Sequence, residues 1–255
     1  LLIFPILWMF LTSFKTPAEI LRLPITFLPD SIINLQNYQE VFSRYPFLRY
    51  IGNSLIISIV SCLVSIVITT MAGYGFSKFD FPGKEIFFFM ILSFLAVPFQ
   101  SVVVPLYKWV NRFGLVDTYL GIALPLLVSS FGVFLMRQGV DMVPTEIIEA
   151  ARIDGSSEFN TFITLIFPLV KPFIATQAII KFMWSWNEFF WPLVITNEDE
   201  MKVVTVGLQR FTNDYYIEYN LLTAASVLSV LPMIIMLFIF QKGIIRSVSM
   251  SGLKG

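Results

Sequence analysis

Few residues in this 255-residue chain can do chemistry, and their types narrow what that chemistry could be. There is no histidine, which removes His-based metal sites, His general bases and Ser-His-Asp triads together. Cys62 is the single cysteine, so no disulfide can form within the chain. Inside an apolar block it reads as a buried, inert thiol. No G-x-x-x-x-G-K-S/T phosphate loop is present. What remains is Trp184, Trp186, Asn187 and Glu188 in one apolar run, with Gln100 in an earlier one. Sugar sites pair aromatic faces with amide and carboxylate hydrogen bonds, and these five residues supply those groups. An ionisable residue inside a span is costly and is functional by default. The competing reading is structural. Lys181, seven positions before Glu188 and on nearly the same helix face, could help neutralise it. Trp is also a common anchor at a membrane boundary.

A second group lies in the charged stretch 144–172, PTEIIEAARIDGSSEFNTFITLIFPLVKP. Glu146, Glu149, Arg152, Asp154 and Glu158 alternate with Ile147, Ile148, Ala150, Ala151 and Ile153, which predicts a short amphipathic helix. Pro144 suits the first helical position, where its missing N–H has no intrahelical partner. Gly155 suits a left-handed C-cap. The helix would lie outside the bilayer core, tied at both ends to spans. Four carboxylates against Arg152 suit a protein groove better than an anionic lipid surface, which favours Lys and Arg.

The elements around these groups follow from composition. The chain is 56% hydrophobic, 16% aromatic and 13% charged, where a soluble domain carries about a quarter charged residues. The apolar residues come in long blocks, so the class is an all-α polytopic membrane protein, a single domain over 1–255. Net charge is zero, which argues against nucleic-acid binding. Spans are expected at 51–76, 86–107, 119–136, 173–195 and 221–240. The block 1–14 is short for a span of roughly 20 residues and reads as the end of a truncated first one. Pro98, Gln100 and Pro105 predict a broken third span, either a packing kink or backbone lining a cavity. Gly73 and Gly75 would allow a close helix approach. Lys and Arg divide eight against eight between the two sides, so orientation leans only slightly toward a cytoplasmic tail.

Glu149-Ala150-Ala151, then Asp154-Gly155, then Pro168 and Pro172, resembles the EAA loop of ABC-importer permeases of the carbohydrate-uptake, maltose-type branch. PILWMFLTSFK from Pro5, Pro98-Phe99-Gln100 with Pro105-Leu106-Tyr107, Trp186-Asn187-Glu188-Phe189 and the ending Ser251-Gly252-Leu253-Lys254-Gly255 are similar as well. Together they cover nearly the whole chain. One departure is Ser247, where the resemblance leads one to expect Gly.

The resemblance implies a type I importer permease with six transmembrane helices, sited in a prokaryotic inner membrane. Its coupling loop, about 141–171, and its tail, 243–255, would be cytoplasmic. Glu149, Ala150, Ala151, Arg152, Asp154 and Gly155 would form a coupling helix seated in a groove on a cytoplasmic ATPase dimer. Ser251, Gly252, Leu253, Lys254 and Gly255 would reach that dimer's interface. ATP and Mg would sit on the ATPase, with no cofactor in this chain and no enzymatic site of its own. A second permease would complete the path and could carry most sugar contacts. The loop 196–220, with Tyr215-Tyr216, would touch an extracytoplasmic solute-binding protein. The solute would be a sugar or oligosaccharide, or a polyol or glycerol phosphate. An ion-coupled carrier would need intramembrane carboxylates, of which only Glu188 qualifies.

Overall fold

The computed structural model describes residues 3–31, 34–212 and 217–252, with side chains as far as Phe238. The main elements are α1 (Phe4–Thr12), α2 (Gln36–Arg44), α3 (Phe47–Lys78), α4 (Lys84–Ser93) and α5 (Phe99–Arg112). There follow α6 (Tyr119–Ala123), α7 (Ser130–Asp141), α8 (Thr145–Ile153), α9 (Glu158–Thr161), α10 (Lys171–Trp186), α11 (Phe190–Ile195) and α12 (Tyr219–Gly252). Among the described residues the only β pairing is an isolated bridge between Thr212 and Ile217. Leu253, Lys254, Gly255, Tyr215 and Tyr216 lie outside the described residues, and of Ser251 and Gly252 only the helical backbone is described.

Two stretches are long and apolar enough to cross a membrane unaided, α3 and Tyr219–Phe238 of α12. Three bent helix pairs are, each taken whole, long and apolar enough for one further crossing. Lys84–Ala96 meets Phe99–Arg112 at 101°, Tyr119–Leu126 meets Ser130–Asp141 at 51°, and Glu158–Leu169 meets Lys171–Trp186 at 77°. With each bent pair counted as one crossing, the described residues hold up to five of the expected six, beside the nine-residue α1, about 14 Å long.

The breaks have local causes. In the third crossing Val97 is extended (ψ 117°), as a residue before proline prefers, and Pro98 precedes the first turn of α5. Pro105 stays inside α5, so Pro98 alone makes the break. In the fourth, Pro125 sits in a 3-10 turn, and the Ser129 hydroxyl restarts the helix by accepting the Gly132 N–H at 3.0 Å. The fifth differs from expectation at both ends. It begins at Glu158 and bends at Val170, ahead of Pro172. Its helix stops at Trp186, short of the expected 195, because Glu188 accepts the Trp191 N–H at 3.2 Å and so starts α11 instead.

At 32 residues, α3 runs about 48 Å, longer than the roughly 30 Å hydrocarbon core. It packs along α7 and α10. Small residues set that distance: a Cβ on Gly73 would fall 2.7 Å from the Met136 carbonyl carbon, and one on Gly132 2.7 Å from Gln177 Nε2. The buried side of α3 is polar, with Ser54, Ser58, Ser61, Ser65 and Thr69 all buried. The Cys62 thiol donates to the Ala178 carbonyl at 3.4 Å, in keeping with an inert buried thiol. Gly75 has open space beside it, so of the two glycines only Gly73 makes the close approach. Gly73→Ala should therefore destabilise the purified protein by about 1–3 kcal/mol through overpacking. Gly75→Ala should stabilise it by up to about 1 kcal/mol through helix propensity. Thermal unfolding in detergent reads both signs.

Candidate functional site

The charged stretch folds as expected in kind, with its helix at Thr145–Ile153. Pro144 (φ −58°, ψ 134°) is the cap preceding the helix, one position earlier than expected. Asp154 closes it and Gly155 follows at φ +82°. The Ser156 N–H donates to the Ala151 carbonyl at 2.9 Å and the Gly155 N–H to Arg152 at 3.0 Å, a Schellman ending. A Cβ on Gly155 would meet nothing within 4 Å, so glycine serves the backbone angle here and not a shortage of space. Glu146 in the first turn and Arg152 in the last both complement the helix dipole.

The helix turns only one isoleucine inward. Ile148 is 1% exposed, in a cluster with Tyr74, Met136, Val140, Val143, Phe162 and Ile166. Ala151 is half-buried, while Ile147, Ala150 and Ile153 join Glu146, Glu149 and Asp154 on the outside. Ile153 is 86% exposed. The outer face is thus both acidic and apolar.

Arg152 points back into the subunit. Its Nε donates to Glu158 Oε1 at 2.6 Å, while the Tyr74 hydroxyl donates to Glu158 Oε2 at 2.8 Å. Its guanidinium also lies over the Phe79 ring, 5.7 Å from the centroid. This corrects one expectation. Arg152 pairs with Glu158, so the outer acidic face holds three carboxylates, not four. Glu146, Glu149 and Asp154 make no side-chain hydrogen bond or ion pair among the described residues. With both partners more than a third exposed, the Arg152–Glu158 pair contributes at most about 1 kcal/mol, so its main effect is geometric.

Other links seat the loop on the end of α3. Lys78 Nζ donates to the Val143 carbonyl at 2.6 Å, and the Ser77 hydroxyl to Asp141 Oδ1 at 2.6 Å. Arg137 holds Glu85 through two bonds of 3.1 and 2.6 Å. None of these partners was marked by the sequence. Tyr74 and Glu158 are 84 positions apart, and no local pattern joins them.

The five residues with sugar-binding chemistry separate. Trp186 is 2% exposed, stacked on Phe182 with centroids 5.8 Å apart, and its indole N–H donates to the Ser229 carbonyl of α12 at 3.2 Å. It belongs to the core. Glu188 is spent on starting α11 and also accepts the Thr205 hydroxyl on its carbonyl at 2.6 Å. Lys181 is buried but forms no ion pair with Glu188 within 4 Å. Trp184 is 51% exposed, edge-on to Phe131 at 5.5 Å, and Asn187 and Gln100 are exposed. Among the described residues no group of three or more His, Cys, Asp or Glu side chains could hold a metal ion.

At the far end, the 196–220 loop is fastened at its base. Asp117, at φ 55°, accepts the N–H of Asn197 at 2.6 Å and of Glu198 at 3.0 Å. Burial pushes the Asp117 carboxyl up, but these donors outweigh it and hold it below the usual carboxylate range. Lys202 and Arg210 hold Asp199 low in the same way, so the acidic run is partly neutralised. Arg49 and Asn53 both donate to the Glu200 carbonyl, at 2.9 and 2.8 Å.

The two tryptophans should separate by experiment. Trp186→Ala should cost about 3–5 kcal/mol and lower the yield of folded protein. Trp184→Ala should leave thermal stability within about 0.5 kcal/mol of the parent. Equal losses would show that exposure does not distinguish them.

Residues 65–250 match the family described as binding-protein-dependent transport system inner membrane component. The chain is 35% identical over 255 residues to an arabinooligosaccharides transport system permease protein of Halalkalibacterium halodurans, covering 99% of this chain and 91% of that one. It is 31% identical over 252 residues to an sn-glycerol-3-phosphate transport system permease protein of Brucella abortus, covering 95% and 89%. Among solved structures, a chain of a bacterial ABC transporter involved in import of the acidic polysaccharide alginate superposes with a TM-score of 0.83. That match has 24% identity and covers 94% of this chain and 90% of that one, which establishes a shared fold. By the family match and by these relatives, the chain belongs to the binding-protein-dependent transport system inner membrane components.

Proposed function

We propose that this chain is one permease subunit of an ATP-driven importer for a sugar or oligosaccharide, and that α8 is its coupling helix. The observation that carries this reading is the outer face of α8. Glu146, Glu149 and Asp154 are free of partners among the described residues, and Ile153 stands 86% exposed between them. An unpaired acidic and apolar face on a short helix outside the spans is suited to a partner groove lined with cations and one oily slot. ATP and Mg reside on a separate cytoplasmic ATPase dimer, and this chain holds no cofactor. The α8 loop and the C-terminus face the cytoplasm, and residues 251–255 reach the ATPase. A second permease completes the path. A solute-binding protein docks on the opposite side, at the 196–220 loop, whose tethered base offers it a firm platform.

The solute path on this subunit is drawn from Gln100, Trp184 and Asn187, which are exposed, while Trp186 and Glu188 hold the scaffold beneath them. The arabinooligosaccharide relative favours a neutral sugar. The glycerol-phosphate relative supports a second reading, a small phosphorylated polyol. Membership of a binding-protein-dependent family leaves no place for the ion-coupled carrier.

The test is copurification. Glu149→Lys with Ala150→Trp should weaken ATPase binding at least about tenfold, or 1.4 kcal/mol, while the permease still inserts and folds. Unchanged ATPase recovery and unchanged solute-stimulated ATP hydrolysis would refute the coupling role of α8.

A further inference from the structure

The connection that leaves α1 carries an apolar run that the fold does not cover. Leu21, Leu23, Ile25, Phe27 and Leu28 are each between 59% and 83% exposed. The ends of the run are polar and closed on each other. Glu19, in the single helical turn Pro17–Ile20, accepts the Thr16 N–H at 2.5 Å with one carboxylate oxygen and the Asp30 N–H at 2.7 Å with the other. Arg22 lies 3.8 Å from the Asp30 carboxylate. The segment is therefore a loop with a charged neck and an apolar tip.

Its depth can be read from α1. Asn220 heads the apolar stretch of α12 and marks the end of the spans on this side. Asn220 Nδ2 donates to Asn37 Oδ1 at 2.8 Å, and Asn37 Nδ2 donates to the carbonyls of Ser13 and Lys15 at 2.8 and 2.9 Å. Ser13 and Lys15 thus stand at that boundary. From there α1, packed on α12, descends into the membrane, with Phe4 about 12 Å below Thr12. The loop follows α1 down. Phe27 lies edge-on to Trp8 at 5.6 Å and to Phe4 at 6.3 Å. Lys15 reaches down the same side, with Nζ 4.7 Å from the Trp8 ring centroid and donating to the Thr26 carbonyl. The tip therefore lies on the bilayer side of these polar contacts, against a helix whose Phe4, Ile6 and Leu7 are also more than half exposed.

The backbone limits how deep the tip can go. Residues 22–29 form no helix or strand, so their N–H and carbonyl groups need water, which the hydrocarbon interior withholds. Pro24 and Pro29 remove two N–H groups from that demand, and Lys15 serves the Thr26 carbonyl. The boundary between headgroups and acyl chains offers water to the backbone and hydrocarbon to the side chains.

We infer that residues 21–28 insert into that lipid boundary, on the side of the membrane that carries the 196–220 loop, and that Lys15 fastens them to α1. The occupant is lipid because the tip lies below the polar contacts, where a partner arriving through water does not reach, while the neck keeps its charges at headgroup level. The inference needs only that the chain spans a membrane and is independent of the coupling role of α8.

Collisional accessibility of a spin label tests it in the assembled transporter, in vesicles of phosphatidylcholine and phosphatidylglycerol, with Cys62→Ala removing the native thiol. Ile25→Cys places the label at the tip and Ala18→Cys at the neck, since both side chains are exposed. The tip label should be open to oxygen, several-fold less accessible than the neck label to a water-soluble nickel chelate, and about 5–10 Å below the phosphates. Equal nickel access at the two sites would put the tip in water and overturn the inference. Exclusion of both oxygen and nickel from the tip would show that protein covers it, and would overturn the inference as well. Adding Lys15→Gln should raise nickel access at the tip several-fold. A tip that stays shielded in that variant would remove Lys15 as the fastener and leave the insertion standing.

Discussion

The close approach of α3 to α7 and α10 is the constraint on which the other features depend. Lipid tails are as apolar as leucine, so helices in a bilayer gain little by hiding apolar surface from them. They associate where small residues let backbones come near and polar groups bond across. Gly73 lies against the α7 backbone, Gly132 lies under Gln177, and Gly139 lies under the Phe173 ring. Gln177 donates to Thr69 across the same contact. The three helices hold one another in register, and the bent crossings are arranged around them.

The seat of α8 follows from that register. Tyr74, Ser77 and Lys78 are spaced three and four apart, so they share one face of the last turns of α3. That face begins at Gly73, where α3 is pressed onto α7, and ends in the groups that bond Glu158, Asp141 and Val143. One helix end therefore sets both the depth of the α7 contact and the position of the amphipathic helix. The division of charge has the same origin: Arg152 and Glu158 are drawn in by Tyr74, which leaves the outer face acidic.

Much of this was legible in the sequence. The apolar blocks marked the crossings, Pro98 marked one of the bends, and Gly155 marked the close of α8. The limits of the fifth crossing were not legible. Its hydropathy runs on through Trp191 and Leu193, while the stop at Trp186 depends on one carboxylate reaching one N–H. The fate of Trp186 was hidden for a related reason, since an aromatic in an apolar run looks the same whether it faces α12 or a path. The partners of Arg152 and Lys78 are tertiary, and local spacing says nothing of them. The buried hydroxyls of α3 did leave a signal. Ser54, Ser58, Ser61, Ser65 and Thr69 recur at helical spacing, but a mean over an apolar helix conceals a stripe.

That stripe separates two demands made on a single helix. Entry into a bilayer rewards the total apolar content of α3, and leucine at any of the five positions would satisfy it better than serine. Packing against α7, α10 and the segment at Val204 rewards small polar side chains on one face only. Substitutions that raise hydropathy along this stripe would therefore give a chain that reaches the membrane more readily and assembles less well. Amounts of membrane-inserted protein and amounts of functional protein would then move in opposite directions.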